Sequence, residues 1–271
     1  MNTIKQVFEN NRKNKKGCLI GYITAGYPTP EITPKIADAL IHGGIDILEI
    51  GIPFSDPIAD GPTIQTASLQ ALNAGTTPKK VLEIIKEIKT NHDIPLVVMT
   101  YYNPIFHFGL DKFLLTAKIH GANGFIIPDL PIEEADDFKQ IANTHNLDTI
   151  FLAAPSTSKQ RLTKIVDATS GFLYLVSHFG VTGTKSTIEN STLQLIQQVK
   201  SFTINKIPLA VGFGISKPEH VQEILNSGAD AAIVGSAFIN IIQKNVSLIN
   251  MLNELEATAK ILKTATMLES Y

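Results

Sequence analysis

Two carboxylates eleven positions apart are the first residues whose surroundings suggest chemistry. Glu49 lies inside the apolar run 46–52 (DILEIGI), flanked by Leu48 and Ile50. A carboxylate in a strand buried on both faces costs several kcal/mol unless it is paired or neutral. Desolvation raises its pKa toward neutrality, which is what a general acid/base needs. The alternative is a structural Glu paired to a buried Lys or Arg. The following loop, 53–62 (PFSDPIADGP), carries Asp56 and Asp60, prolines that stiffen it and Gly61 to turn it. Asp60 is placed to meet Glu49 across a pocket, and Asp56 reads as a turn-capping residue.

Three glycine-bearing turns form a second signal: 178–184 (HFGVTGT), 211–216 (VGFGIS) and 234–237 (VGSA). Glycine lets backbone N–H groups approach a ligand closely. Gly235-Ser236 leads into a short helix whose N-terminus favours an anion. The chemistry indicated is phosphate binding, with tight turns alone as the alternative. Gly212 and Gly214 lack the third glycine of a dinucleotide fingerprint, and 183–186 (GTKS) lacks the Gly-Lys of a P-loop. The seven histidines show no metal-ligand spacing, so no metal is expected. His178 is placed to touch phosphate. Tyr22, Tyr101, Tyr102, Tyr174 and Phe213 fall at the ends of apolar runs, where they either wall an aromatic ligand or simply pack.

Eight short apolar runs must position these groups: 18–24, 46–52, 95–102, 124–128, 149–153, 171–177, 208–213 and 231–234. They are continuous rather than alternating, as in strands buried on both faces. Helical patterns lie between them, at 32–40, from Pro78, and at 111–120, 133–145, 160–168, 192–200 and 218–226. A long amphipathic helix follows at 247–268. The hinges HGGID, HGANG and NSGAD each put a helix-capping glycine just before a strand. Eight βα units predict a single closed (β/α)8 TIM barrel over residues 1–271, with extra N-terminal and C-terminal helices and its site at the C-terminal strand ends. The competing doubly wound sheet would carry its phosphate glycines after the first strand, whereas here they come late.

Composition narrows the function classes. With 23 basic and 25 acidic residues among 271, the chain is not a strongly basic nucleic-acid or anionic-membrane binder. The cluster Arg12, Lys13, Lys15 and Lys16 reads as a solvated helix end. At 44% hydrophobic and 18% charged it is globular rather than disordered. One cysteine, Cys18, excludes an internal disulfide and CxxC zinc sites. The polar N-terminus is no secretory signal and no apolar run has membrane-spanning length, so a cytoplasmic protein is expected.

The stretch 48–65 (LEIGIPFSDPIADGPTIQ) resembles the signature of the tryptophan synthase alpha chain family. The segments GYITAGYP, MTYYNPI, IIPDLPIEE, YLVSHFGVTG, VGFGIS and IVGSA resemble the same family in the same order, from Gly17 to Ile242. The resemblance implies a TIM-barrel carbon–carbon lyase that cleaves indole-3-glycerol phosphate to indole and glyceraldehyde 3-phosphate in tryptophan biosynthesis. It implies a β-chain partner carrying pyridoxal phosphate, in an alpha-beta-beta-alpha heterotetramer with an internal indole tunnel, and no cofactor in this chain. It implies Glu49 as acid/base, Asp60 as partner of the indole N–H, and Tyr174 beside the reacting centre. Tyr22, Ile64, Tyr101, Leu152 and Ile233 would line the indole pocket. Backbone around Gly183, Phe213, Gly214, Gly235 and Ser236 would hold phosphate. Thr182 would sit on a closing loop, and 54–57 with Asn103-Pro104 would face the β chain.

Two positions depart from enteric members of that family. Tyr22 replaces Phe, so a hydroxyl needs a partner; His178 replaces Arg. Other readings remain compatible with the residues: a lyase that needs no β chain, an inactive phosphate-binding regulatory subunit, or another phosphosugar enzyme.

Overall fold

The computed structural model describes residues 3–176, 188–212 and 214–268. Among the described residues nine strands run parallel: β1 (Cys18–Thr24), β2 (Ile47–Gly51), β3 (Leu96–Met99), β4 (Gly124–Ile126), β5 (Asp148–Ile150), β6 (Leu152–Ala153), β7 (Leu173–Val176), β8 (Leu209–Gly212) and β9 (Ala231–Val234). Their order is β5-β4-β3-β2-β1-β9-β8-β7-β6. Only Phe151 separates β5 from β6, and its carbonyl accepts the Tyr174 N–H at 3.1 Å. These two short strands are therefore one barrel strand with a break, and the ring closes through it. The result is the (β/α)8 barrel that the eight apolar runs predict.

The runs lack polar alternation because both faces are packed. Leu48, Ile50, Val98 and Leu175 join the core between barrel and helices. Ile47, Val97, Ile126 and Phe172 belong to a second core inside the barrel. Helix α1 (Ile4–Lys13) starts with a capping box between Thr3 and Gln6 and contributes Ile4 and Phe8 to that inner core. The Phe8 and Phe172 rings lie 6.0 Å apart, so α1 floors the barrel.

At this N-terminal end, one device recurs. The Leu19 N–H donates to Asp46 Oδ2 at 2.6 Å, and the Leu96 N–H to Asn123 Oδ1 at 3.0 Å. The Thr149 N–H donates to Ser170 Oγ at 2.8 Å, and the Leu209 N–H to Asp230 Oδ2 at 2.8 Å. In each case a polar side chain just before one strand clips the start of the neighbouring strand. Three of the four clips lie in the hinges HGGID, HGANG and NSGAD, whose Gly44, Gly121 and Gly228 adopt positive φ. Asp46 also binds Lys263 Nζ at 2.6 Å, tying helix α12 (Leu248–Thr264) to the floor.

Several boundaries differ from the sequence expectation. The third run leaves strand geometry after Met99, and Tyr102 opens a helix over Tyr102–Phe108. A helix at Pro62–Asn73 has no counterpart in the apolar pattern, because it buries only the small Ala67, Ser68 and Ala71. The segment expected as one helix over 133–145 is a 3-10 turn at Ile132–Glu134 followed by a helix at Asp136–Thr144. The last helix stops at Thr264, after which Met267 bridges to Lys16.

The clips generate a stability prediction. Asp46→Ala leaves the Leu19 N–H without its side-chain acceptor and the Lys263 ammonium without its anion, and is expected to cost about 3 kcal/mol in urea unfolding. Glu133→Ala, which breaks an exposed pair to Arg161, is expected to cost no more than about 1 kcal/mol. Equal effects would show that the clip contributes nothing special.

Candidate active site

Above the inner core, the last inward-facing residues of the strands surround a cavity of about 170 Å³. Tyr22, Glu49, Leu152, Tyr174 and Ile233 line it from β1, β2, β6, β7 and β9. Asp60 and Ile64 join them from the segment after β2, and Gly214, Gly235 and Ser236 from the turns after β8 and β9. Residues from seven separated stretches of sequence thus converge at the C-terminal end of the barrel, where the fold places its chemistry. Thr182, Gly183, Phe213 and His178 fall outside the described residues.

Glu49 is fully buried. Neither of its carboxyl oxygens has a hydrogen-bond partner among the described residues. The alternative of a structural ion pair therefore has no support here. Burial, and then the neighbouring charge of Asp60, raise its pKa to about 8. At neutral pH Glu49 carries a proton.

Asp60 is held differently. The Tyr101 hydroxyl donates to Asp60 Oδ2 at 3.2 Å and accepts the Ala59 N–H at 3.0 Å. Phe54 stacks on the Tyr101 ring at 5.2 Å. Burial raises Asp60 to about 6, opposed by the hydrogen bond from Tyr101. Asp60 is thus mostly ionised at neutral pH while Glu49 is not. Two carboxyls with opposite protonation states in one cavity are the pattern of an acid beside a charge-stabilising anion. Tyr101, expected in the pocket wall, stands one step behind it as the support of Asp60. Asp56 is held within its own turn, where its carboxylate accepts the Ser55 hydroxyl.

The tyrosines fit because glycine faces them. A Cβ on Gly51 would collide with the Tyr22 hydroxyl, and one on Gly212 would stand 2.7 Å from the Tyr174 hydroxyl. A Cβ on Gly235 would lie 3.1 Å from the Tyr22 ring. The glycines after β8 and β9 therefore serve aromatic packing as well as any ligand. The Tyr22 hydroxyl does find a partner, Thr24 Oγ1 at 3.3 Å. Burial and then the Asp60 charge push the Tyr22 phenol up, and burial and then the Glu49 charge do the same to Tyr174. Both stay protonated.

Beside them, helix α11 (Ser236–Lys244) starts at Gly235 with no acidic side chain in its first turn. Its free N–H groups suit an anion. Gly214 adopts φ +57°, and no atom of the described residues lies within 4 Å of where a Cβ would stand.

Sequence reasoning passed over Met99, Pro128, Val176 and Gly212, which also line the cavity. Their signal was register: Met99 follows inward-facing Val97 by two positions, as Val176 follows Tyr174.

Residues 8–267 match the family model described as the tryptophan synthase alpha chain. The chain belongs to that family. It is 48% identical to the tryptophan synthase alpha chain of Methanosarcina barkeri (strain Fusaro / DSM 804), over 96% of each chain. It is 41% identical to the alpha chain of Arabidopsis thaliana, over 97% of this chain and 94% of that one. The structure of tryptophan synthase from M. tuberculosis in its open form superposes with a TM-score of 0.88 at 33% identity, covering 98% of this chain and 99% of that one. Tryptophan synthase subunit alpha from Legionella pneumophila str. Paris does so at 0.88 and 36% identity, covering 98% of both. As a tryptophan synthase alpha chain family member, this protein is a carbon–carbon lyase of tryptophan biosynthesis that cleaves indole-3-glycerol phosphate.

The titration of Glu49 has a stability signature. Its folded pKa lies above the unfolded one, so the folded state keeps a proton that the unfolded chain releases. Stability relative to Glu49→Gln is expected to fall as pH rises from about 5 to 8 and then level off, read as the difference in denaturation midpoints. A pH-independent difference would contradict a buried, protonated Glu49.

Proposed function

We propose that Glu49 and Asp60 divide the retro-aldol cleavage of indole-3-glycerol phosphate between them. The observation that carries this is their opposite state in one cavity: Glu49 protonated and without a hydrogen-bond partner among the described residues, Asp60 ionised and fixed by Tyr101. Protonated Glu49 gives its proton to indole C3, and the ring nitrogen takes on positive charge. Asp60 accepts the indole N–H and stabilises that charge. The Glu49 carboxylate then takes the proton of the adjacent glycerol hydroxyl. The O–H electrons form the aldehyde C=O, the C–C bond breaks, and its electrons return to the ring to restore indole. Glu49 ends protonated as it began, so the cycle needs no added acid.

The remaining roles rest on the family resemblance, joined for the described residues by their place around the cavity. Tyr174 stands beside the reacting carbons, and Tyr22, Ile64, Leu152 and Ile233 pack against the indole ring. Gly214, Gly235 and Ser236 hold phosphate with Gly183 and Phe213, and Thr182 belongs to the loop that closes over the site and excludes water. Tyr101 acts through Asp60 rather than on the ring.

In this reading the partner is a tryptophan synthase β chain in an alpha-beta-beta-alpha heterotetramer, with pyridoxal phosphate in the β chain. Ile58 and Phe106 support it: they stand 82% and 66% exposed on segments that follow β2 and β3 at the site end of the barrel. Exposed large apolar groups beside 54–57 and Asn103-Pro104 suit a covered surface. Among the described residues no helix is long and apolar enough to cross a membrane, which fits a cytoplasmic enzyme.

The test is indole release from indole-3-glycerol phosphate, with and without a β chain. Glu49→Gln is expected to lower kcat by about a hundredfold or more, and Asp60→Asn by about tenfold or more. A β chain is expected to raise the wild-type rate. A fast rate indifferent to the β chain would favour a self-sufficient lyase. Full activity in Glu49→Gln would overturn the assignment.

A further inference from the structure

The segment after β3 reaches the site through a helix that cannot cap itself. Helix α5 (Tyr102–Phe108) has Tyr101 at its N-cap position, and the Tyr101 side chain makes no capping bond. An N-cap ordinarily uses Ser, Thr, Asp or Asn to accept a first-turn N–H. Tyr101 has no such group to offer, because its hydroxyl is committed to Asp60 and Ala59. The missing acceptor comes from elsewhere in the chain: Asp129 Oδ1 accepts the Tyr102 N–H at 2.9 Å. Its negative charge also suits the positive end of the helix. Just before this contact, the Thr100 N–H donates to the Ile126 carbonyl at 3.0 Å. Both segments therefore leave from one ladder and meet again at the borrowed cap. The Tyr101 ring is fixed between this cap and Phe54, and it alone among the described side chains hydrogen-bonds the Asp60 carboxylate.

We propose that Asp129 is a positioning residue for the lyase reaction: by capping α5 it fixes Tyr101, and through Tyr101 it places Asp60 and the segment 53–61. The inference rests on the role of Asp60 given above. What matters is the acceptor oxygen rather than the charge, since Asn caps a helix about as well as Asp. Asp129 is exposed, so its replacement leaves the core intact. Misplacement of a catalytic group by about 1 Å costs up to a hundredfold in rate.

The experiment compares Asp129→Ala and Asp129→Asn in the full chain with its β chain, each alone and combined with Tyr101→Phe. Two readouts are taken: indole release, and amide hydrogen exchange of the 53–61 segment. Asp129→Ala is expected to lower kcat/KM about tenfold, mainly through kcat, with Asp129→Asn within about twofold of wild type. In the Tyr101→Phe background Asp129→Ala should cost nothing further, because the support it steadies is already lost. Exchange at the Ala59 amide should quicken in Asp129→Ala and stay at the wild-type rate in Asp129→Asn. Equal losses in the Ala and Asn variants, an undiminished loss in the Tyr101→Phe background, or unchanged exchange at Ala59 would each overturn the proposal. Should the wild type release no indole, the reaction assignment fails instead, and exchange at Ala59 still decides whether Asp129 positions this segment.

Discussion

A carboxyl group fully buried in a barrel wall, with no hydrogen-bond partner among the described residues, constrains everything around it. Ionised, it would cost several kcal/mol; protonated, it still forfeits the hydrogen bonds water would give. The rest of the molecule must absorb that cost. It does so with two packed cores, one inside the barrel and one between barrel and helices. Glu49 sits mid-strand in β2, flanked by Leu48 and Ile50, so it cannot turn to solvent without unravelling the ladder. Its proton is consequently held by burial, and the raised pKa is a property of the fold.

The barrel divides its labour along its axis. The floor is closed by α1 and laced by side-chain clips between paired strands, with Asp46 and Asp230 each joined to a lysine. The opposite end carries glycines where a side chain would strike Tyr22 or Tyr174, and the Tyr22 and Tyr101 hydroxyls are held by neighbours. Asp60 belongs to a segment rather than a strand, so its accuracy has to come from a second group, Tyr101. A carboxyl on the rigid wall and a carboxyl on a steadied loop thereby acquire different protonation states in the same cavity.

Much of this was legible in the sequence, for identifiable reasons. Glu49 stood out because a charge interrupts an apolar run, and Asp60 because prolines and a glycine frame it. The strands were visible because both faces are apolar. The helix at Pro62–Asn73 was not, since it packs on small residues that leave no apolar period. Tyr101 falls at the end of an apolar run, which leaves its ring either walling a ligand or packing, and which of the two it does depends on where the loop returns. The clips are half visible: the hinge glycines stand out, while the Asp or Asn two positions after each does not. Those side chains reach a strand start 27 or 21 positions earlier in the chain, a distance that no local pattern encodes. The Asp129 cap, 27 positions from Tyr102, was hidden for the same reason.

The account stands on Glu49 being a neutral acid at physiological pH. The most direct measurement is the infrared difference spectrum between the wild type and Glu49→Gln across a pH titration. The account predicts a protonated-carboxyl band at pH 7 that belongs to Glu49 and disappears with a midpoint near 8. A carboxylate band for Glu49 at pH 7, with its midpoint in the ordinary range for an exposed glutamate, would contradict it.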